Sequence, residues 1–241
     1  SSIPGVTLCA NTGGTAATLG TVSTTGLELA APFTLETGGT CATAGLVAAA
    51  GSCTLVVRFA PTSAGLAPDT IALAYNDGVA PQTASRGVQG TGAGPAALSI
   101  SETDPYDYGT KATGSTTDKT FSVTNTGGVA ATLGTISTAA LGLALPFSHE
   151  GGTCITGGSV AAAASCTLLV RFAPPSAGAA ADFINLTYND GVTNQTANRM
   201  LSGIGATPAL LTISEASTFD FQTKAVGSTT VQTNTRFYTY A

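Results

Sequence analysis

Tryptophan is absent from this 241-residue chain, histidine and methionine occur once each, and only 9% of the residues are charged. His149 is the sole imidazole, and no GxSxG elbow or other nucleophile motif accompanies it. A nucleophile, base and orienting carboxylate are therefore not all on offer, and no enzymatic activity is expected. Eight Lys and Arg face 13 Asp and Glu, a net charge of -5 that leaves no basic footprint for nucleic acid or an anionic membrane. No run reaches the roughly 18 apolar residues of a membrane span. The start, SSIPGVTLCA, lacks the basic region and apolar core of a signal peptide, so a soluble, mature chain is expected. CxxC and CxxCH are missing too, which excludes c-type haem attachment and disfavours zinc for want of a fourth ligand. No metal and no cofactor is expected.

Hydrophobic residues make up 43% of the chain, enough for a core and too many for a solvated, disordered tail. Five cysteines are present. Cys41 and Cys53 stand twelve apart, as do Cys154 and Cys166, each pair opening with GGTC and closing with SCTL. Disulfides are the predicted state, and each short loop so closed stabilises the fold by about 2–3 kcal/mol. Such bonds persist in an oxidising compartment, so the protein is expected to be exported. Cys9 is left over, as a small buried hydrophobe or, alternatively, as the source of an intermolecular bond.

Self-similarity organises the chain. NTGGTAATLGTVST from Asn11 recurs as NTGGVAATLGTIST from Asn125, CTLVVRFAPTSAG becomes CTLLVRFAPPSAG, and AYNDGV becomes TYNDGV. The offset is 114 before Thr37 and 113 after it, so the first copy carries one inserted residue ahead of its cysteine pair. ALSISETDPYDYGTKATGSTT from Ala97 returns as LLTISEASTFDFQTKAVGSTT from Leu210, the start of a third copy. The expected units are thus residues 1–96, a first repeat lacking its N-terminal strands; 97–209, a complete second repeat; and 210–241, the first strands of a third. Within a copy, apolar residues alternate at Cys53, Leu55, Val57 and Phe59 and at Cys166, Leu168, Val170 and Phe172, with Thr54, Arg58, Thr167 and Arg171 on the other face. That is the period of a half-buried strand. Ile71, Leu73, Tyr75 and Ile184, Leu186, Tyr188 alternate likewise, each ending in Asn-Asp-Gly, a turn signal. Seven or eight short strands per copy predict an all-β protein of tandem antiparallel sandwiches.

The ordered motifs, from a Leu-x-Ile-Ser start through VGSTT, NTGG, GGTC, SCTLxVRFAP, SAG and YNDG to a closing GxG, resemble the bacterial choice-of-anchor D repeat. That repeat is an immunoglobulin-like module related to the ASPM, SPD-2 and Hydin domains. The resemblance covers residues 11–230. It implies an immunoglobulin-like fold in a bacterial secreted or cell-surface protein, and brings no catalytic residues. Thr7, Leu8 and Cys9, standing where Phe121, Ser122 and Val123 would be expected, depart from the pattern, as does NTRFYTYA.

The polar candidates read mostly as architecture. Asp77 and Asp190 lie in the NDG turns, with too few oxygens for calcium. Asp107 and Asp220, each between two aromatics, and Glu102 and Glu215 read as outward carboxylates. Arg58 and Arg171 are expected to pair locally or to cover the sheet with their stems, and His149, whose counterpart is Leu35, to sit on a surface or loop. Asn185 and Asn194 head Asn-x-Thr triplets, acceptors only in a host that glycosylates them.

The joints GAGPAAL and GATPALL are equal in length and stiffened by Pro95 and Pro208, so the copies are expected to stack end to end. The first copy lacks counterparts of residues 97–121, and residues 210–233 supply nearly the same stretch. An incomplete sandwich offers a groove to another chain's strand, and Leu211, Ile213, Phe219 and Phe221 are suited to fill it. The expected function is a structural subunit of an extracellular fibre, polymerising head to tail by donating C-terminal strands. Its partners are other copies of itself and, beyond them, a host or biofilm surface. A fragment of a longer multi-repeat stalk or adhesin is the alternative, with a carbohydrate- or protein-binding module behind it.

Overall fold

The computed structural model describes residues 4–212 and 220–231, with side chains from residue 8 onward. Among the described residues every regular element is a strand. The first module contains β1 (Pro4–Ala10), β2 (Ala17–Leu19), β3 (Phe33–Glu36), β4 (Leu46–Val47), β5 (Ser52–Phe59), β6 (Gly65–Asn76) and β7 (Pro81–Gly92). The second contains β8 (Leu98–Ile100), β9 (Tyr106–Ala112), β10 (Thr117–Asn125), β11 (Ala131–Leu133), β12 (Phe147–Gly151), β13 (Ser159–Val160), β14 (Ser165–Phe172), β15 (Gly178–Asn189) and β16 (Asn194–Ala206). Each module is an immunoglobulin-like sandwich of two sheets. The first has sheets β1-β5-β3 and β4-β2-β6-β7; the second has β12-β14-β10-β8 and β13-β11-β15-β16-β9.

The alternation seen in the sequence decides which faces meet. In β5, Cys53, Leu55 and Val57 are buried while Arg58 is exposed. In β14, Cys166, Leu168, Val170 and Phe172 all turn inward. The second core gathers Phe121, Phe147 and Phe172, each no more than 1% exposed, around Leu141, Leu168, Ile184 and Leu186. Burying each such side chain contributes about 1.5–3 kcal/mol. The first core repeats the pattern with Leu27, Phe33, Leu55, Ile71 and Leu73.

Strand for strand, β1 matches β10, β5 matches β14 and β7 matches β16, with Cys9 opposite Cys53 where Val123 is opposite Cys166. Among the described residues, two strands of the second module have no counterpart in the first. β8 extends one sheet beyond β10, and β9 extends the other beyond β16. β9 runs parallel to β16, the one departure from the expected antiparallel pairing, because the chain crosses between sheets after β8 and arrives in the direction of β16.

Two boundaries differ from the sequence reading. The first module's missing stretch is shorter than the counterparts of 97–121, since β1 pairs with β5 from Pro4 onward. A ladder is made by backbone groups, and tolerates the side-chain mismatch at Thr7, Leu8 and Cys9. The break between modules also falls before Ala96, not after it. Ala96 is 4% exposed in the second core, and its N–H donates to the Asp190 carbonyl at 2.9 Å.

Phe59 is only half-buried, whereas its counterpart Phe172 is fully covered by β9. Phe172→Ala is therefore expected to cost the second module about 3–5 kcal/mol, and Phe59→Ala clearly less in the first. Urea unfolding read by hydrogen exchange in each module checks this; equal losses would contradict it.

Candidate strand-accepting groove

In the second module, residues 96–100 seal one side of the sandwich. Ala97 N–H donates to Asn125 Oδ1 at 3.1 Å, Leu98 N–H to the Tyr188 hydroxyl at 3.3 Å, and the Arg199 guanidinium donates to the Ile100 carbonyl. Thr126 N–H donates to the Ala97 carbonyl at 2.8 Å. Asn125, fully buried, is held in place by donating to the carbonyls of Val129 and Val160. Ile100 and Ala96 point into the core, and Leu98 packs against it. Gly127 makes the close approach possible, since a Cβ there would meet Pro95 O at 2.1 Å.

The first module carries the same receiving groups around an open cleft of about 420 Å³. Asn11, Tyr75, Asp77 and Arg86 line it, at the places of Asn125, Tyr188, Asp190 and Arg199, and Leu19, Leu55, Ile71 and Leu73 form its floor. Asn11 is already oriented as Asn125 is, donating to the carbonyls of Thr15 and Val47 at 2.7 and 2.9 Å. Among the described residues, the bond that Asn125 Oδ1 accepts from Ala97 has no counterpart. Gly14 has nothing within 4 Å of a built Cβ, whereas Gly128 meets Gly94 at 3.0 Å. Ala84 is exposed where Ala197 is buried, so the open side runs on along β7.

A second uncovered place lies where β9 would sit. Tyr108 fills it in the second module, its ring 5.5 Å from Phe172 and its hydroxyl donating to the Val170 carbonyl at 2.8 Å. Burial pushes the Tyr108 phenol up, aided by Tyr106 and Asp118 nearby, which keeps it a donor. In the first module, Phe33 and Phe59 pack on one another at 5.0 Å, with no such ring over them among the described residues.

Of the candidate donor residues, Leu211 is 94% and Phe221 52% exposed, and neither lies in a strand. Ile213 and Phe219 lie outside the described residues, as does Glu215. The four paired cysteines are brought together as Cys41–Cys53 and Cys154–Cys166, with Cα separations of 4.9 and 5.0 Å. Cys9 is free and half-buried.

The remaining candidates are structural. Asp77 Oδ1 accepts from Val79 and Ala80 N–H, and Asp190 Oδ1 from Val192 and Thr193 N–H, which closes the NDG turns. Arg171 pairs with Asp118 and Glu150, Arg58 with Glu36, and Lys119 with Glu102. Asp107 accepts from Gly109 N–H at the sheet edge, and Asp220 from Gln222 N–H. Asn185 is half-buried within β15 and Asn194 exposed at the start of β16. His149 lies on strand β12, not in a loop, and its Nε2 is buried without a hydrogen-bond partner. The polar rim of the groove was overlooked in the sequence, though Asn11, Tyr75 and Arg86 each recur at the matching position of the second copy.

No protein-family model matches the chain, and no curated protein matches it as a relative. Among solved structures, it is similar to the VesB protease of Vibrio cholerae at 18% identity and a TM-score of 0.38, covering 46% of this chain and 32% of that one. A protein of unknown function from Porphyromonas gingivalis W83 gives 16% and 0.36, covering 84% and 91%. The ASH/PapD-like domain of human CEP192 gives 15% and 0.33, covering 46% and 87%. This chain thus spans about a third of the VesB chain, and the likenesses carry no statement of activity.

Hydrogen bonds from turn N–H groups hold the Asp190 carboxyl below the usual carboxylate range, and the Arg171 guanidinium does the same to Asp118. A depressed folded-state pKa contributes stability above the unfolded value, and that stability is lost as pH falls through the folded one. The second module is therefore expected to weaken on acidification below about pH 4, and Asp190→Asn to flatten part of that fall. Thermal melts across acidic pH check this; an unchanged slope in Asp190→Asn would contradict it.

Proposed function

We propose that the chain is a structural, non-catalytic subunit of an extracellular bacterial fibre, in which residues 208–231 of one copy complete the first module of the next. The observation that carries this reading is the first module's groove, whose rim residues Asn11, Tyr75, Asp77 and Arg86 match those holding residues 96–100 in the second module. The sequence supplies a second segment of the required kind: Ala209, Leu211 and Ile213 repeat Ala96, Leu98 and Ile100, and Phe219 and Phe221 repeat Tyr106 and Tyr108. Seated in the groove, such a strand gains ladder bonds to β1 and buries its alternate side chains, the general logic of strand addition. The contact joins unlike surfaces of identical subunits and so propagates as an open filament when its rotation does not close into a ring. The two disulfides fit an oxidising compartment.

The equal joints favour one further reading, a serial array within a longer stalk or adhesin, where the preceding repeat of the same chain fills the groove. The two readings share the groove and differ in what fills it.

Strand donation is tested by removing the donor. A chain ending at Thr207 is expected to remain monomeric with weak hydrogen-exchange protection in β1 and β7, and a peptide of residues 208–231 to restore that protection. Leu211→Asp and Phe221→Asp, which bring a charge to an apolar groove, are expected to block assembly; Lys224→Ala is expected to leave it intact. Filaments from the truncated chain, measured by sedimentation and electron microscopy, would overturn the reading. A monomeric full chain that still binds the peptide would transfer it to the stalk.

A further inference from the structure

Cys9 stands where the inner strand of the second module has Val123. In the β1–β5 ladder it lies opposite Cys53, as Val123 lies opposite Cys166. The exchange of valine for cysteine places a third sulfur beside a disulfide, and the Sγ atoms of Cys9, Cys41 and Cys53 lie within 4.8 Å of one another. The three differ in their surroundings. Cys53 is buried on β5, Cys9 lines the open groove, and Cys41, on the loop between β3 and β4, packs half-buried against the first core between exposed Thr40 and Ala42. Directly opposed residues of an antiparallel ladder have Cα separations of about 4.5–5.5 Å, inside the roughly 4.4–6.8 Å that disulfides accept. Cys53 can therefore bond Cys9 as well as Cys41 with neither strand displaced.

We propose that Cys9, Cys41 and Cys53 form a thiol–disulfide exchange site, which transfers the free thiol from the groove wall to the β3–β4 loop and presents it there to an external disulfide. Cys9 gives its proton to water, and its thiolate attacks Cys53 Sγ. The Cys9–Cys53 bond forms as the Cys41–Cys53 bond breaks; the electron pair leaves on the Cys41 sulfur, which takes up a proton. One thiol and one disulfide are present before and after, so no oxidant or reductant is consumed. The Cys41 thiol then gives its proton to water, and its thiolate attacks an external disulfide, forming a mixed disulfide and releasing one thiolate of the reagent. Burial pushes the Cys9 thiol up, which makes the first step slow near neutral pH, and the resting pair is Cys41–Cys53. In that state two of the three sulfurs are tied to each other, so the cluster is a redox site and not a metal site. The second module, with Val123 in place, has no third sulfur for this exchange.

The probe is the aromatic disulfide 5,5′-dithiobis(2-nitrobenzoate), applied to the folded full chain, followed by acid quenching and peptide mapping without reduction. The expected product carries thionitrobenzoate on Cys41 together with a Cys9–Cys53 bond. Reagent on Cys9 alone, or no uptake by the folded chain while the urea-unfolded chain takes one equivalent, would overturn the proposal. Cys9→Val is expected to take up none and to keep Cys41–Cys53. Cys41→Ser gives a second reading independent of rate: air oxidation is expected to close Cys9–Cys53 and remove both free thiols, and persistence of both would overturn the proposal.

Discussion

A two-sheet sandwich has to close the side where its sheets part, because backbone groups and apolar side chains both end there. In the second module that closure is made by five residues, 96–100, whose N–H and carbonyl groups meet Asn125, Tyr188, Asp190 and Arg199 while Ala96 and Ile100 enter the core. Complete burial of Asn125 and Phe172 follows from this segment and from β9 beyond it. In the first module the receiving groups are present and the closing segment is not among the described residues, which leaves a cleft with an apolar floor and a polar rim. Buried polar groups are costly unless satisfied, so a cleft of this kind favours an extended segment that brings both backbone bonds and alternate apolar side chains.

The same segment is also the joint between modules. β7 ends at Gly92 and β8 begins at Leu98, and between them Gly94 accepts a hydrogen bond from Gly128 while Ala96 is already buried in the second core. Linker and first strand are thus continuous, and the second module's folding includes the residues that attach it to the first. The joint recurs in sequence at residues 205–211, and the proposed fibre draws its donor segment from that recurrence.

Much of the fold was legible because its signals are local. Alternation along β5 and β14, the Asn-Asp-Gly turns and the twelve-residue cysteine spacing each express a short-range constraint, and the structure shows the strands, hairpins and disulfides they imply. The parallel pairing of β9 with β16 was not legible, since it depends on which sheet the chain reaches after β8. Nor was the reach of β1 to Pro4, which rests on backbone pairing that side chains do not announce. Ala96 read as linker because an alanine between Pro95 and Ala97 carries no burial signal. The groove's rim could have been read, since Asn11, Tyr75 and Arg86 are the same residue types as Asn125, Tyr188 and Arg199 at the matching positions. The proximity of Cys9 to Cys41–Cys53 could not, because it joins three separate strands and loops through register alone.

The central claim is that the open groove accepts another copy's C-terminal segment in the register that residues 96–100 occupy in the second module. A cryo-electron microscopy reconstruction of the assembled full chain tests it most directly. The account predicts a continuous strand beside β1, with Leu211 in the place of Leu98, its N–H directed at the Tyr75 hydroxyl, and its chain traceable to the second module of a neighbouring copy. A groove without density, or one filled by a segment traceable to the same copy, would contradict it.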